Sequence, residues 1–296
     1  MLDVRRLRLL CDLSRLGTIA AVAAAHTYSP SAVSQQLSAL EREAGVPLLE
    51  RTGRRVTLTA AGRLLVRHGT TVLAALEQAG AALAALAAGL TGPLRIGAFP
   101  TAVRTLLPAT LVALGSAHPG LELLVTELDP ADVPAALRDG RLDVGLVSDY
   151  DLVPATPDAA LETVPLLDET VFLAVPASLG PVGLAGLRDA AWILATPGTL
   201  CHTVTVQVCR GAGFAPRGVH RADDFATVLA LVAAGLGVSI VPQLAAAEPP
   251  DGVRLTPLPT RRRTRIAYRR GAATHPAVTA FVTAIRAALS HTVHVS

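Results

Sequence analysis

Residues 18–44, TIAAVAAAHTYSPSAVSQQLSALEREA, decide how the rest of the chain is read. They predict two short helices joined by a tight turn. Ser29 can cap the second helix, because its hydroxyl accepts from a free first-turn amide, and Pro30 suits the first helical position. Gly45 ends that helix. Between these marks Val33, Leu37, Leu40 and Ala44 form an apolar stripe at helical spacing, while Ser31, Ser34, Gln35, Ser38 and Arg42 form a polar one. Ser, Gln and Arg bond phosphate oxygens or base edges, and an α-helix fits the major groove of B-DNA. The pattern therefore fits a helix-turn-helix, although an ordinary amphipathic surface helix has the same stripe. The flanks decide between them.

Upstream, 3–16 reads as a helix with Val4, Leu7, Leu10, Leu13 and Leu16 inward and Arg5, Arg6 and Arg8 toward solvent. Gly17 breaks it and Thr18 caps the next helix; free amides at such a cap can also hold a phosphate. Downstream comes VPLLERTGRRVTLTAAG, in which Thr52-Gly53 is a turn between apolar runs 46–49 and 56–58, with Arg51, Arg54 and Arg55 at the tip. A basic hairpin in this place is a wing for the DNA backbone or minor groove. Thr59 then caps a long helix over about 60–89. Leu65, Gly69, Val72, Leu76, Ala79, Leu83, Leu86 and Leu90 follow an unbroken 4-3 alternation, the seam of a coiled coil with a second copy of the chain. About 30 residues at 1.5 Å each span about 45 Å, enough to separate two reading heads on a duplex.

The chain has 296 residues, room for two or three domains. No run approaches the ~18 consecutive apolar residues of a membrane helix, and MLDVRRLRLL lacks the apolar region and cleavage site of a signal peptide, so the expectation is a cytoplasmic, nucleoid-associated protein with no membrane partner. Cys11, Cys201 and Cys209 are too scattered for a disulfide framework and have no zinc spacing, so no cofactor or metal is expected. There is no Lys. Residues 1–68 carry ten Arg against five acidic residues and the remainder 16 Arg against 18, giving +3 overall with the excess on the end expected to meet a polyanion.

The segment AAVAAAHTYSPSAVSQQLSALEREAGVPLLERTGRRVTLTAAG resembles the DNA-binding region of the LysR-type transcriptional regulators, through its AVS-x-Q-L-x-x-LE-x-x-x-G-x-x-L-x-x-R…LT-x-AG series. Departures are His26 for the usual Leu, Ile19 and Leu49 for Phe, and Gln35 where a basic residue is common. The last leaves no Arg between Arg15 and Arg42. Phosphate affinity then rests on the wing and first helix, while Gln35, Gln36 and the serines read. The DNA-binding set is thus Thr18, Ser29, Pro30, Ser31, Ser34, Gln35, Gln36, Ser38, Arg42, Arg51, Arg54 and Arg55, and the dimer seam is Leu65, Val72, Leu76, Leu83, Leu86 and Leu90.

Gly92-Pro93 marks a boundary. Beyond it LRIGAF, a helix near 106–118, LELLV, a helix near 131–139 and LDVGLV alternate as a parallel sheet with crossover helices. A second set follows: TVFLAVP, a helix near Leu184, WILA, a helix near 203–210, GVHRAD, another helix, VSIVP and RIAYRR, with a closing helix at 276–289. Two α/β lobes with a cleft resemble the periplasmic-binding-protein-like effector domain of the same family. Ligands in open α/β sheets sit beyond the strand carboxyl ends, near helix N-termini. That rule selects Pro100, Thr101, Ala102, Ser148, Thr199, Cys201, His202, Thr203, Asp224 and Phe225, of which Thr101, Thr199 and Asp224 also suit plain helix caps. Arg104 and His202 hint at an organic acid as the effector, and Asp223-Asp224 read as a cap.

The expected fold is a mostly α N-terminal winged helix-turn-helix (1–59) and linker helix (60–90), then an α/β two-lobed type 2 periplasmic-binding-protein-like domain (91–296; lobe I about 93–163 and 266–296, lobe II about 164–265). The expected function is a regulator that responds to a small-molecule effector. By resemblance it binds an interrupted palindrome in double-stranded DNA as a dimer or tetramer, and meets RNA polymerase if it activates. No GxSxG elbow, GxGxxG turn, phosphate loop or HExxH occurs, so an enzyme is not expected. An architectural DNA-binding protein with a degenerate cleft is the alternative.

Overall fold

The computed structural model describes residues 1–52, 55–86 and 89–293, with the backbone alone at 51, 52, 55 and 291–293. The chain forms two compact units, Met1–Ala87 with Arg269–Pro276, and Ala88–Tyr268 with Ala277–Ser296.

The first unit opens with α1 (Val4–Leu16), whose cap Asp3 accepts the amides of Arg5 and Arg6 at 2.7 and 3.1 Å. Helices α2 (Ile19–Ala25) and α3 (Pro30–Ala44) follow, with Thr18 and Ser29 as side-chain caps. Leu10, Leu13, Val33, Leu37 and Leu40 close one core, as their spacing predicts, joined by Val22 of α2. In α1, however, Leu9 is buried and Val4 is exposed. The cause is that α1 packs on both α3 and α4, so two neighbours cover a wider arc of its middle than one stripe supplies.

The wing is a hairpin of β1 (Leu49–Thr52) and β2 (Arg55–Leu58), antiparallel with Leu49 opposite Leu58. It starts three residues later than the sequence predicts. Glu41 Oε1 accepts the amides of both Leu48 and Leu49, at 2.9 and 3.0 Å, and the Leu48 side chain is buried, so 46–48 serves as a tied-down connection.

Thr59 caps α4 (Ala60–Leu86) by accepting the Gly62 amide at 2.9 Å and donates to the Pro47 carbonyl at 2.8 Å. Two glycines let α4 approach its neighbours: a Cβ on Gly62 would lie 2.2 Å from the Leu48 oxygen, and one on Gly69 would lie 2.9 Å from Leu7 Cδ1. The expected seam is divided accordingly. Leu65 packs into the helix-turn-helix core and Gly69 is buried against α1, whereas Val72, Leu76, Leu83 and Leu86 are exposed. Leu65 therefore belongs to the fold of one chain, and the free seam begins at Val72; Leu90 lies beyond the end of α4. By length and composition alone α4 is also long and apolar enough to cross a bilayer. Residues 269–276 complete this unit: Arg269 pairs with Glu77 at 3.0 Å, and Gly271, at φ +94°, sits where a Cβ would be 2.3 Å from the Ala74 oxygen.

The second unit begins with β3 (Gly92–Ala98), then α5 (Pro100–Thr105), α6 (Leu107–Ala117), β4 (Leu121–Glu127), α7 (Val133–Arg138) and β5 (Val144–Tyr150). β3 runs parallel to both β4 and β5, the arrangement that crossover helices impose. Next come β6 (Leu161–Pro176), 3-10 turns at Ala177–Leu179 and Leu184–Leu187, β7 (Ala191–Leu194), α8 (Leu200–Gly211), β8 (Arg217–Arg221), α9 (Phe225–Ala233), β9 (Ser239–Pro242), a 3-10 turn at Gln243–Ala245, β10 (Val253–Arg269), a 3-10 turn at Ala272–Thr274 and α10 (Pro276–Val293). β7 and β8 pair in parallel, and around them Trp192 is fully buried, its indole N–H donating to the Leu187 carbonyl at 3.2 Å.

The sheet is mixed rather than parallel throughout. Its order is β4-β3-β5-β10-β6-β9, with β10 antiparallel to β5 and β9 antiparallel to β6. β6 and β10, at 16 and 17 residues, extend far past the apolar runs from which they are predicted. The extra length of β10 is VRLTPLPTRRRT, a stretch rich in proline and charge to which the sequence reading assigns no element. Those charges are paired within the fold: Arg261 with Asp168 (2.8 Å), Arg262 with Glu169 (2.7 Å), and Arg263 and Arg265 with Asp149 (2.9 and 2.8 Å). The helix expected near Leu184 is only the 3-10 turn, and α5 is not anticipated.

Candidate functional site

In the first unit, α3 presents Ser31, Gln35, Ser38 and Arg42 on its exposed side, opposite buried Val33, Leu37 and Leu40, and Ser34 is half-buried. Ser29 Oγ accepts the Ala32 amide at 3.2 Å and lies 2.9 Å from Ser31 Oγ; Pro30 occupies the first turn. Thr18 Oγ1 accepts the Ala21 amide at 3.1 Å, which leaves it at an exposed helix start. Gln36 departs from the expected reading set. Its Oε1 accepts Arg6 Nε at 2.9 Å, and Arg6 is paired in turn with Glu43, because α1 runs beside that flank of α3. Arg51 and Arg55 stand on the hairpin strands; Arg54 lies outside the described residues.

Sequence reasoning misses the polar network that sets the α2–α3 turn. Buried Asp12 accepts from or pairs with His26 Nε2 at 2.8 Å and Arg15 Nη2 at 3.3 Å, and the His26 ring stacks on Tyr28. His26 thus replaces an apolar residue with a bond to a buried carboxylate. A groove of about 660 Å³ beside it is lined by Arg5, Arg6, Arg8, Tyr28 and Gln36 among others, a width of basic surface that one helical wheel at a time does not reveal.

In the second unit a cavity of about 300 Å³ opens where the strand ends meet the starts of α5, α8 and α9. Six expected residues line it: Pro100, Thr101, Ser148, Thr199, Cys201 and Phe225. Four do not. Ala102 is fully buried in the core of its helix. His202 and Thr203 are tied to the α8 cap, through His202 N to Thr199 Oγ1 (3.3 Å) and Thr203 Oγ1 to the Thr199 carbonyl (3.0 Å). Asp224 caps α9 through the Thr227 amide (3.1 Å) and pairs with Arg104, also at 3.1 Å. Neither Arg104 nor His202, the two residues that hint at an acidic ligand, lines the cavity.

Other lining residues are absent from the expected set. Glu127, Asp129 and Asp223 bring carboxylates, Phe99, Leu128 and Leu200 apolar surface, and Arg262 a guanidinium. Asp223 holds Thr196 through both oxygens, accepting its amide and its hydroxyl at 2.7 Å each, so only Asp224 of that pair is a helix cap. Arg262 is 2 % exposed and lies over the Phe99 ring at 4.9 Å. No periodic signal marks a single Arg within a charged run as buried, which is why it escapes detection. Burial pushes the Tyr150 hydroxyl and the Cys201 thiol up from their ordinary values. Cys201 and Cys209 are both on α8 eight positions apart, about 12 Å along the axis, far beyond disulfide reach while the helix is intact.

The two units define a winged helix-turn-helix DNA-binding protein with a two-lobed ligand-binding domain, and comparison with known proteins agrees. Residues 4–63 match the bacterial regulatory helix-turn-helix protein, lysR family, and residues 87–290 match the LysR substrate binding domain. The chain belongs to the LysR family of bacterial transcriptional regulators, which are not enzymes. It is 37 % identical over 227 residues to a probable hydrogen peroxide-inducible genes activator of Mycobacterium avium, covering 73 % of this chain and 70 % of that one. It is 34 % identical over 274 residues to the DNA-binding transcriptional dual regulator OxyR of Escherichia coli, covering 88 % and 87 %. Among solved structures, an OxyR C206 mutant of Corynebacterium glutamicum has a TM-score of 0.60 at 27 % identity, covering 100 % of this chain and 94 % of that one. Full-length CbnR complexed with its target DNA has a TM-score of 0.52 at 27 % identity, covering 97 % and 99 %.

Proposed function

We propose that this regulator binds an interrupted palindrome in promoter DNA as a homodimer, paired further into a tetramer, and changes its DNA contacts when a small effector fills the cavity of its second unit. It works in the cytoplasm, on the nucleoid. The observation that carries the reading is the exposed row Ser31, Gln35, Ser38 and Arg42 on a helix whose opposite face is locked into a core. Arg51, Arg54 and Arg55 of the wing, with Thr18, supply phosphate contacts. Residues 1–59 act as the reading head, 60–90 as the dimerisation helix and 91–296 as the sensor. Within the sensor, about 93–163 and 266–296 form one lobe and about 164–265 the other. As an activator it would meet RNA polymerase. The effector shifts the spacing of the reading heads only through its difference in affinity for the two arrangements.

The test is selection of the purified protein against fragments of its own genome, followed by sequencing of the retained DNA. Enrichment of an interrupted palindrome beside one transcription unit is expected. Retention without a shared sequence would replace this reading with an architectural one. A second reading, peroxide sensing, comes from the names of the relatives and from the place of Cys201 in the cavity wall. Exposure to millimolar hydrogen peroxide tests it: rapid oxidation of Cys201, read by mass spectrometry over minutes, would establish the second reading, and an unmodified Cys201 would remove it.

A further inference from the structure

One polar cluster of the first unit lies outside the exposed row of α3. Asp12 is buried within α1, and a carboxylate taken out of water needs partners. It has Arg15 Nη2 at 3.3 Å and, from the turn between α2 and α3, His26 Nε2 at 2.8 Å. A carboxylate paired with Arg15 accepts only, so His26 Nε2 carries the hydrogen and the imidazole is fixed in one orientation. A leucine at this position, the usual residue of the family, has no such tether.

The anchored imidazole carries a second ring. Tyr28 stacks on it, with centroids 6.2 Å apart and planes 19° from parallel. The Tyr28 backbone is fixed separately, by its amide bond to the Ala23 carbonyl at 2.9 Å and by the left-handed turn at Thr27. Yet Tyr28 is 54 % exposed, and its hydroxyl has no partner among the described residues. Holding a side chain still costs conformational entropy, and a ring half in solvent recovers little of that by burial. Such a ring is suited to a partner from outside the chain, with an apolar face and a hydroxyl to offer it.

The surroundings define the partner. Tyr28 directly precedes Ser29, the cap of α3, and the N-terminal end of a reading helix is the part that contacts base edges, between two sugar-phosphate walls. Tyr28 also shares its groove with Arg5 and Arg8, both exposed and without an ion pair among the described residues, whereas Arg6 is taken by Glu43 and Gln36. Two unpaired guanidinium groups and a phenol match a polyanionic backbone: the cations meet phosphates, the ring lies on a deoxyribose and the hydroxyl donates to a phosphate oxygen.

We propose that Tyr28 is a DNA-contacting residue, set on the sugar-phosphate backbone where α3 enters the major groove, and that His26, tethered to Asp12, is the positioning residue that holds its ring there. The proposal rests on α3 being the reading helix.

The experiment measures the affinity of the full chain for the selected operator and for a random duplex, with each variant shown folded by circular dichroism. Tyr28→Ala should lose roughly threefold to tenfold per half-site on both DNAs, the worth of one hydrogen bond, and Tyr28→Phe should lose less. His26→Gln keeps an N–H for Asp12 and removes the ring. It should weaken binding when Tyr28 is present and cost nothing further beside Tyr28→Ala, because it acts only through that ring. Unchanged affinity of Tyr28→Ala overturns the contact, and a loss confined to the operator replaces the backbone with a base edge. Equal costs of His26→Gln in the two backgrounds overturn the positioning role. Failure of the wild-type chain to bind either duplex would remove the reading helix itself, a result separate from all of these.

Discussion

Thr27 is the residue on which the helix-turn-helix bends, and it does so at a cost. It is the one non-glycine residue with positive φ among the described residues, at 56°, and it is β-branched, the side chain least suited to that region. The turn holds because the Tyr28 amide bonds the Ala23 carbonyl at 2.9 Å and His26 is anchored to Asp12. Replacing Thr27 by Asn, which tolerates the left-handed region, should stabilise the protein by about 1 kcal/mol, read as a higher midpoint in urea. A neutral or lower midpoint would mean that the neighbouring bonds already relieve the strain. On the exposed face of α3, Gln35→Ala should cost roughly 1–3 kcal/mol on the preferred site and little on random DNA, whereas Arg54→Ala on the wing should weaken both alike. Competition binding with the two DNAs checks this, and equal losses from Gln35→Ala would remove it from the reading set. Ser29, Thr18 and Gln35 are legible from sequence because capping and periodicity are local. The removal of Gln36 to Arg6 is not, because that bond joins residues thirty positions apart.

Among elements, α4 is the clearest case of a partly legible pattern. Its 4-3 spacing is plain in the sequence, but the spacing does not say which neighbour covers which turn. The first turns are taken by α1, through Gly69 against Leu7 and Cys11, and the later turns leave Leu76 51 % and Leu83 69 % exposed. Apolar side chains so exposed on an otherwise folded helix call for a second copy. The double change Leu76→Glu and Leu83→Glu should convert the dimer to monomer in light scattering and lower affinity for a palindrome by at least about tenfold, since the two half-sites are then bound separately. An unchanged mass would assign the seam to another role. β10 shows the reverse failure: its RRRTR run resembles a solvated loop, and only strands β5 and β6, remote in sequence, supply the carboxylates that make it a strand.

At the scale of the molecule, the buried thiols link stability to pH. Burial pushes Cys11 up to about 11 and Cys209 up to about 12, against 9.0 for an unburied thiol. Each folded-state value is raised, so the folded protein holds protons that the unfolded chain has released. The contribution is fully present below pH 9 and is lost as pH rises through about 11 to 12. The melting temperature should therefore fall over pH 9 to 11, and fall less for Cys209→Ala; parallel curves for the two proteins would show that the thiol does not titrate differently on folding. The sequence by itself determined the helix-turn-helix, the hairpin, the long linker helix and most of the strands and helices beyond it, α5 and the 3-10 turn near Leu184 excepted, because caps, turns and hydrophobic periods are set by residues close in the chain. The tertiary structure alone decided the mixed sheet, the inward turn of Arg262 with Glu169, the withdrawal of Ala102, His202, Thr203 and Asp224 from the cavity, and the carboxylates that line it. These depend on which distant charges meet and on how much water their meeting excludes, and no local pattern records that.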